Sequence, residues 1–329
     1  MKSLSILPLA VLAGKCQEKC NSDLEVCLVD CITQSPEDVR CPGDCARAES
    51  DCLFRCQDSN YGLFAASKNY MEVNFGTDVA EYSFDFDFAG HDFETACSVE
   101  FEGDYYIIGG IKNIQRVSKV SNCGLSQVDF MYQAFYGHRC TNWNGAIHIC
   151  GSEVDAGACW KYVPGRSQNT IARSQYGHSE GGLVVYDNYL LRIAGYTQKV
   201  EAYGEGDSFW SDFNADLPYV LSQFAALVVD DSIFLFGGYS GASYSQVDTI
   251  LRFDNNSRSW DQIGQMEYSR RNFAIVQEEN FVYIAGGEEF NLPFEVFDTE
   301  TFETSTLESM SQNFYYAQII PEEFLNCRS

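Results

Sequence analysis

The sequence predicts a mainly β fold: a six-bladed β-propeller over residues 61–329, closed by N- and C-terminal strands and preceded by a small disulfide-linked α-hairpin over residues 15–60. Three observations predict it. Short apolar strands that end in a pair of small residues recur roughly every 44 residues through the longer part of the chain. Eight of the 14 cysteines crowd between residues 16 and 56, in one spacing used twice. Hydrophobic residues make up 45% and aromatics 15% of the 329 residues, enough for a sizeable core, which excludes wholesale disorder.

The chain opens with Met1-Lys2-Ser3, then the apolar run Leu4 to Leu12, then Ala13-Gly14. One early positive charge, a short apolar run and small residues read as a secretory signal over residues 1–14, cleaved after Ala13 or Gly14. The run is too short to span a bilayer, and no later stretch reaches 18 apolar residues, so no membrane span is expected. A secreted, extracellular address also suits the cysteine usage.

Residues 16–56 carry C-x3-C-x6-C-x3-C twice: Cys16, Cys20, Cys27, Cys31, then Cys41, Cys45, Cys52, Cys56. At about 100° per residue each set falls on one narrow helical stripe. Two helices can therefore face each other through cysteines alone. Ser35-Pro36-Glu37-Asp38 supplies a cap, a proline at the first position and acids in the first turn for the second helix. An antiparallel hairpin pairs residues of constant summed number, which gives Cys16–Cys56, Cys20–Cys52, Cys27–Cys45 and Cys31–Cys41. A parallel pairing needs the short linker to travel back along a whole helix. A zinc cluster is the other reading of such spacing, but C-x2-C knuckles are lacking. Few large apolar residues lie here, so disulfides substitute for a core.

The repeat then begins. Tyr105-Tyr106-Ile107-Ile108 ends in Gly109-Gly110, Ile147-His148-Ile149 in Cys150-Gly151, Leu190-Leu191-Arg192-Ile193 in Ala194-Gly195, Ile233-Phe234-Leu235-Phe236 in Gly237-Gly238, and Phe281-Val282-Tyr283-Ile284-Ala285 in Gly286-Gly287. Counted between second small residues, the steps are 41, 44, 43 and 49. Repeats of this length built from short strands are propeller blades. Glycine suits the pair because a side chain would obstruct the turn that follows the strand. Each unit also has a preceding apolar strand, a third strand, and a fourth carrying an aromatic such as Trp210 or Trp260.

These residues resemble the Kelch family of β-propellers. Its marks are a Gly-Gly after the second strand, an aromatic-Asp ending the third, and a Trp in the fourth. Gly237-Gly238, Phe253-Asp254 and Trp260 fit all three, and Gly286-Gly287, Phe297-Asp298 and Phe302 fit with Phe for Trp. Cys123 stands near where the first unit's Trp would be, and Cys150-Gly151 and Ala194-Gly195 are degenerate. Five such units are visible. A sixth begins with two strands, Asn313–Ile320 and Glu323–Cys327, and runs out of chain, so its outer strands are expected from Tyr70–Phe75 and Tyr82–Phe88, the latter alternating with period 2. Seven blades would average about 38 residues, below every observed spacing.

Six cysteines fall in the propeller: Cys97, Cys123, Cys140, Cys150, Cys159 and Cys327. Cys150 and Cys159, on consecutive strands, are the first expected pair; the other pairings stay open. His138 and His178 both sit in Tyr-Gly-His and read as repeat-equivalent structural positions. No zinc-protease, nucleophile-elbow or phosphate-loop motif is present. Secreted copper oxidases also use Kelch propellers, but they need a Tyr/His ligand set, and this chain has 4 histidines. Neither a cofactor, a metal site nor a catalytic residue is expected. The acidic pairs Asp230-Asp231, Glu278-Glu279, Glu288-Glu289 and Glu322-Glu323 read as solvated turns, with calcium as the other reading. Asn255-Asn256-Ser257 is an N-glycosylation sequon in a turn between the third and fourth strands of its unit.

Twenty-one Lys and Arg against 47 Asp and Glu leave a net charge of −26, which disfavours nucleic acid as a partner. The expected function is therefore non-catalytic: a secreted protein whose propeller loops bind an extracellular protein or glycan. Two alternatives stay open, a structural component of a secreted matrix assembled through the cysteine hairpin, and a propeller enzyme with a metal site.

Overall fold

The computed structural model describes residues 60–64, 70–74, 94–121, 124–289, 292–309, 314–321 and 324. The expected signal segment, residues 15–59 of the hairpin with all eight clustered cysteines, strand 82–88, Cys123 and Cys327 lie outside the described residues. The chain divides into two units, residues 1–61 with 72–82, and residues 62–71 with 83–329. The second unit carries the repeat.

Five sheets have four antiparallel strands each, laid down in chain order. The first holds β3 (Cys97–Phe101), β4 (Asp104–Ile108), β5 (Arg116–Ser121) and β6 (Gly124–Phe130), following β1 (Asn60–Phe64) and β2 (Tyr70–Asn74). The second holds β7 (Arg139–Trp143), β8 (Ala146–Ser152), β9 (Asp155–Val163) and β10 (Ser167–Thr170). The third holds β11 (Gly182–Tyr186), β12 (Tyr189–Ile193), β13 (Val200–Tyr203) and β14 (Ser211–Asp212). Around the fourth, β15 (Leu221–Ser222), β18 (Tyr239–Ser240) and β19 (Ser245–Gln246) make a small three-stranded sheet of their own. The fourth sheet proper is β16 (Ala225–Val229), β17 (Ser232–Phe236), β20 (Thr249–Asp254) and β21 (Ser259–Gln265). The fifth holds β22 (Ala274–Glu278), β23 (Phe281–Ala285), β24 (Pro293–Asp298) and β25 (Thr304–Ser309). Finally β26 (Gln318–Pro321) lies in a sheet of order β2-β1-β26. Its neighbour is thus drawn from residues 60–64, upstream of the 70–75 stretch expected from the sequence, which lies one strand further out.

The strands form where the residue types demand it. Ile233-Phe234-Leu235-Phe236 of β17 and Val282-Tyr283-Ile284-Ala285 of β23 are uninterrupted apolar and aromatic runs, and all eight residues are buried. A strand apolar on both sides needs cover on both sides, and neighbouring sheets supply it. Leu191 and Ile193 of the third sheet pack with Ile233, Leu235 and Leu251 of the fourth. Phe234 and Phe236 of the fourth pack with Val282, Ile284 and Phe297 of the fifth. Each such side chain contributes about 1.5–3 kcal/mol. Fourth strands turn more of their residues to water: β10 reads Ser-Gln-Asn-Thr and buries no side chain, while β6 and β21 keep Leu125 and Trp260 buried.

The small-residue pairs sit where one sheet meets the next. The last residues of the second strands that pair with the first strands are Ile108, Cys150, Ile193, Phe236 and Ala285, in steps of 42, 43, 43 and 49. This corrects one unit: Gly151-Ser152 holds the place of the pair, and Cys150 still pairs with Arg139 of the first strand. A Cβ on Gly109 would come within 2.5 Å of Phe135 O, and one on Gly237 within 2.7 Å of Arg270 O, both backbone atoms of the following segment. The second glycine donates its N–H there: Gly110 N to Phe135 O at 2.9 Å, Gly195 N to Leu221 O at 2.8 Å, Gly238 N to Arg270 O at 2.7 Å and Gly287 N to Phe314 O at 3.0 Å. At Gly109 and Gly237 the neighbouring backbone favours glycine as well as the turn does, whereas the third unit accommodates Ala194 at the same position with φ 50°. The tryptophans stitch the same junctions further out, Trp210 Nε1 donating to Ala172 O at 2.7 Å and Trp260 Nε1 to Ala215 O at 2.8 Å.

Cys150 and Cys159 are joined as adjacent-strand partners in the second sheet, and Cys97 of β3 is bonded to Cys140 of β7, tying the first sheet to the second.

Gly286→Ala and Gly145→Ala separate these two glycine roles. Both positions have positive φ, +78° and +68°, but only Gly286 has backbone against its missing Cβ, whereas nothing lies within 4 Å of the Gly145 position. Gly145→Ala should cost about 1 kcal/mol from backbone strain alone. Gly286→Ala should cost about 2 kcal/mol more, a further loss of several degrees in Tm by calorimetry. Equal losses would show that the clash is relieved freely.

Candidate functional site

In an antiparallel sheet the turns alternate between the two ends. The segment leading into each first strand and the loop after each second strand therefore emerge at one end, and the other two turns at the opposite end. One cavity of about 300 Å³ is lined at the first end by six segments, around Thr95–Ser98, Gly137–Cys140, Glu180–Leu183, Phe224–Ala226, Asn272–Ile275 and Tyr316–Ile319.

The residue that opens each segment has left-handed backbone: Thr95 at φ 61°, Gly137 at 64°, Glu180 at 51°, Gln223 at 59°, Asn272 at 53° and Tyr316 at 49°. Five of the six are not glycine, and each such residue is strained by about 1–2 kcal/mol. Their backbones are joined in succession. Gly137 N donates to Thr95 O at 3.1 Å, Glu180 N to Gly137 O at 2.8 Å, Gln223 N to Glu180 O at 2.8 Å and Asn272 N to Gln223 O at 3.0 Å. The same repeat position in four successive sheets thus reaches back to its counterpart.

Two buried clamps fix the incoming segments. Arg270 donates to Glu295 at 2.7 Å and to Gly286 O at 2.8 Å, while Glu267 N donates to the other Glu295 oxygen at 2.6 Å. Both side chains are fully buried. Burial pushes the Glu295 carboxyl up and the Arg270 guanidinium down, each opposed by the other. In the third sheet His178 and Glu201 occupy the corresponding places, 2.8 Å apart, with Gln175 N and Tyr176 N also donating to Glu201 and Ala194 O 2.6 Å from His178 Nδ1. Burial raises Glu201, but the bonds it accepts prevail and hold it below its usual value.

His138 and His178 are not repeat-equivalent. His138 follows its left-handed residue by one, whereas His178 precedes Glu180 by two. The intervals between left-handed residues are 42 and 43, and the Tyr-Gly-His coincidence at 40 misleads. His138 Nε2 donates to Ile108 O at 3.1 Å and its Nδ1 has no partner, the pattern of a neutral ring. Burial lowers its pKa to about 3 and that of His148 to about 4.

Around the mouth a polar chain crosses three sheets. The Tyr196 hydroxyl and Gln223 Nε2 donate to Glu180 at 2.5 and 2.8 Å, Arg271 donates to Gln223 Oε1 at 3.1 Å, and Arg271 and Asn272 donate to Glu288 at 2.6 and 2.7 Å. Glu288, expected with Glu289 in a solvated turn, is instead held by Arg271 and Asn272, and none of the other residues carries a motif. Their signal is positional: each lies just ahead of a first strand or just after a second one. Asn255 is exposed in the β20–β21 turn, at the opposite end, where Asp254 accepts Asn256 N at 2.8 Å. Among the described residues no group of three or more His, Cys, Asp or Glu side chains is placed to hold a metal ion.

Two outcomes test these electrostatics. Unfolded histidine titrates near 6.5, while folded His138 and His148 stay neutral to about 3 and 4. The unfolded chain therefore binds more protons below pH 6.5, so stability falls as pH falls, by up to about 2 kcal/mol per histidine between pH 6.5 and 5. Denaturant titrations at the two pH values should show it, and His138→Phe should reduce the difference. Glu295→Ala leaves Arg270 buried without its carboxylate and should cost about 3–5 kcal/mol, read from the same titrations.

Residues 221–267 match the Kelch motif. The match runs from β15 through the end of β21, one complete four-stranded unit with its entering segment. No curated protein matches the chain. Among the described residues no helix is long and apolar enough to cross a membrane. The motif and four further sheets of the same strand order support a Kelch-repeat family, whose propellers are protein-interaction modules.

Proposed function

We propose that the chain is a secreted, non-catalytic binding protein. Residues 1–14 direct export, residues 15–60 form the cysteine-stapled hairpin, and residues 61–329 form a six-bladed Kelch propeller closed by the β2-β1-β26 sheet. Its partner is an extracellular protein, held by the end of the sheets that surrounds the cavity mouth.

The observation that carries this reading is an asymmetry in exposed apolar surface. Twelve large hydrophobic side chains are exposed among the described residues, and eight of them lie on the loops at the mouth end: Ile111, Ile114, Tyr132, Val154, Tyr176, Tyr196, Tyr244 and Tyr268. Only Tyr189 and Phe209 lie at the opposite end. Tyrosine gives contact area at low entropic cost and dominates binding surfaces. Tyr244 stands 80% exposed on the small β18–β19 hairpin, and Tyr132 is 76% exposed. Glu153 and Glu289 are exposed at this end too. With a net charge of −26, the favoured partner surface is basic and partly apolar. The sequon at Asn255 sits at the opposite end, so a glycan there would leave the mouth clear.

Immobilised protein carrying Tyr132→Ser, Tyr196→Ser and Tyr244→Ser together should lose its extracellular binding partners by at least about tenfold relative to wild type. Phe209→Ser, 69% exposed at the other end, should retain them. Loss in Phe209→Ser alone would reverse the assignment of the face. N-terminal sequencing of secreted material should begin after Ala13 or Gly14; retention of residues 1–14 would refute export by that signal.

A further inference from the structure

Of the residues lining the 300 Å³ cavity, only two carry formal charges, Arg139 and Glu180. Glu180 is engaged by Tyr196 and Gln223. Arg139 is not. Its one hydrogen bond runs from NH1 to the carbonyl of the preceding residue, His138, at 3.1 Å, and no carboxylate of the described residues lies within 4 Å. The protein's two fully buried arginines are treated differently. Arg270 has Glu295 and two carbonyls, and Arg192 has Ser174 Oγ at 2.5 Å, Gly157 O at 3.2 Å and Ala156 O.

Arg139 lies two residues beyond its left-handed residue, and the same place in the other segments is held by Cys97, Gly182, Ala225, Ala274 and Gln318. Cys97 is tied up in its disulfide, and Gln318 accepts from Ser98 at 2.7 Å and donates to Ala96 O at 3.3 Å. The remaining three are glycine or alanine, which leave the cavity open at this level. Thr95 Oγ1, also in a cavity-lining residue, is buried without a partner. Arg139 is half-buried at the cavity wall with most of its donors unspent, and partial desolvation lowers its pKa, with Glu180 and Tyr316 opposing.

The geometry points to a carboxylate-binding site inside the cavity, in which Arg139 receives the anion through two parallel N–H donors. That fork geometry matches a carboxylate. A monoanion fits better than a phosphate dianion, because Glu180 stands at the mouth and the whole protein is strongly acidic. The volume admits a small organic acid or the tip of an acidic side chain. This site does not depend on which protein the outer face binds.

Benzoate, followed by saturation-transfer NMR, is the small-acid probe. A blocked tetrapeptide with one glutamate, against its glutamine counterpart, is the side-chain probe. Wild-type protein should bind at least one probe saturably below about 10 mM, and Arg139→Met should weaken it at least about tenfold. Arg166→Met, an exposed arginine at the opposite end, should leave binding unchanged. Benzoate alone binding identifies a free acid as the ligand class, and the glutamate peptide alone identifies a protein side chain. Without ligand, Arg139→Met should melt no lower than wild type, since the cation removed has a single hydrogen bond and no ion pair among the described residues. Unchanged binding in Arg139→Met, no saturable binding of either probe, or a lowered melting temperature in unliganded Arg139→Met would each overturn the site.

Discussion

The backbone link between left-handed residues is the constraint on which the remaining geometry depends. Four first strands, β7, β11, β16 and β22, are each entered through a residue whose N–H bonds its counterpart in the preceding sheet, in succession from Thr95 to Asn272. A hydrogen bond at this spot sets both the distance and the angle between adjacent sheets. The reversal that turns the N–H toward the previous sheet needs positive φ, at a cost of about 1–2 kcal/mol for a residue with a Cβ. The bonds and the packing beside them hold the strain in place. The glycine pairs follow from the same closeness. Where backbones approach this nearly, Gly109, Gly237 and Gly286 have the next segment's carbonyl where a side chain would go.

Once the sheets are that close, the buried polar groups must be settled locally. Glu295 and Glu201 reach from third strands to receive an arginine, a histidine and backbone N–H groups from the entering segment. These clamps are interchangeable in position but not in chemistry. Arginine reaches a carboxylate and a carbonyl together through its fork, and histidine does so through two ring nitrogens. Such groups contribute little net stability when paired and cost much when one partner is lost, so they act chiefly to define where the segment lies.

The two ends of the sheets acquire different characters through this division. Strand-to-strand turns at the far end are short and polar, with Asp187-Asn188 and Asp230-Asp231 in left-handed turns. The mouth end carries the linking segments and the longer loops, and with them the exposed tyrosines. Arg139 marks the inside of the same end. The scaffold satisfies Arg192 and Arg270 with care and leaves Arg139 with a single bond to its neighbour, which is how a site awaiting an anion differs from a structural cation.

Much of the sheet architecture was legible in the chain. Continuous apolar runs such as Phe281 to Ala285, followed by Gly286-Gly287, announce a buried second strand whatever its neighbours, because strand propensity and glycine's freedom are local properties. The turn at Asn255 was legible for the same reason. The second unit's pair was misplaced by one residue because cysteine at position 150 counts as small, while only the register Arg139–Cys150 shows that it is still strand. The kinship of His138 and His178 failed similarly, since a shared tripeptide ignores position within the repeat. By itself, the sequence determined strand content, period and the places where glycine is needed. Only the tertiary structure decided that Thr95, Glu180 and Gln223 share one strained position, that Cys97 reaches Cys140, and that Arg139 faces a cavity with no carboxylate within 4 Å among the described residues. Those depend on distances between residues some 40 positions apart, and no local preference encodes such a distance.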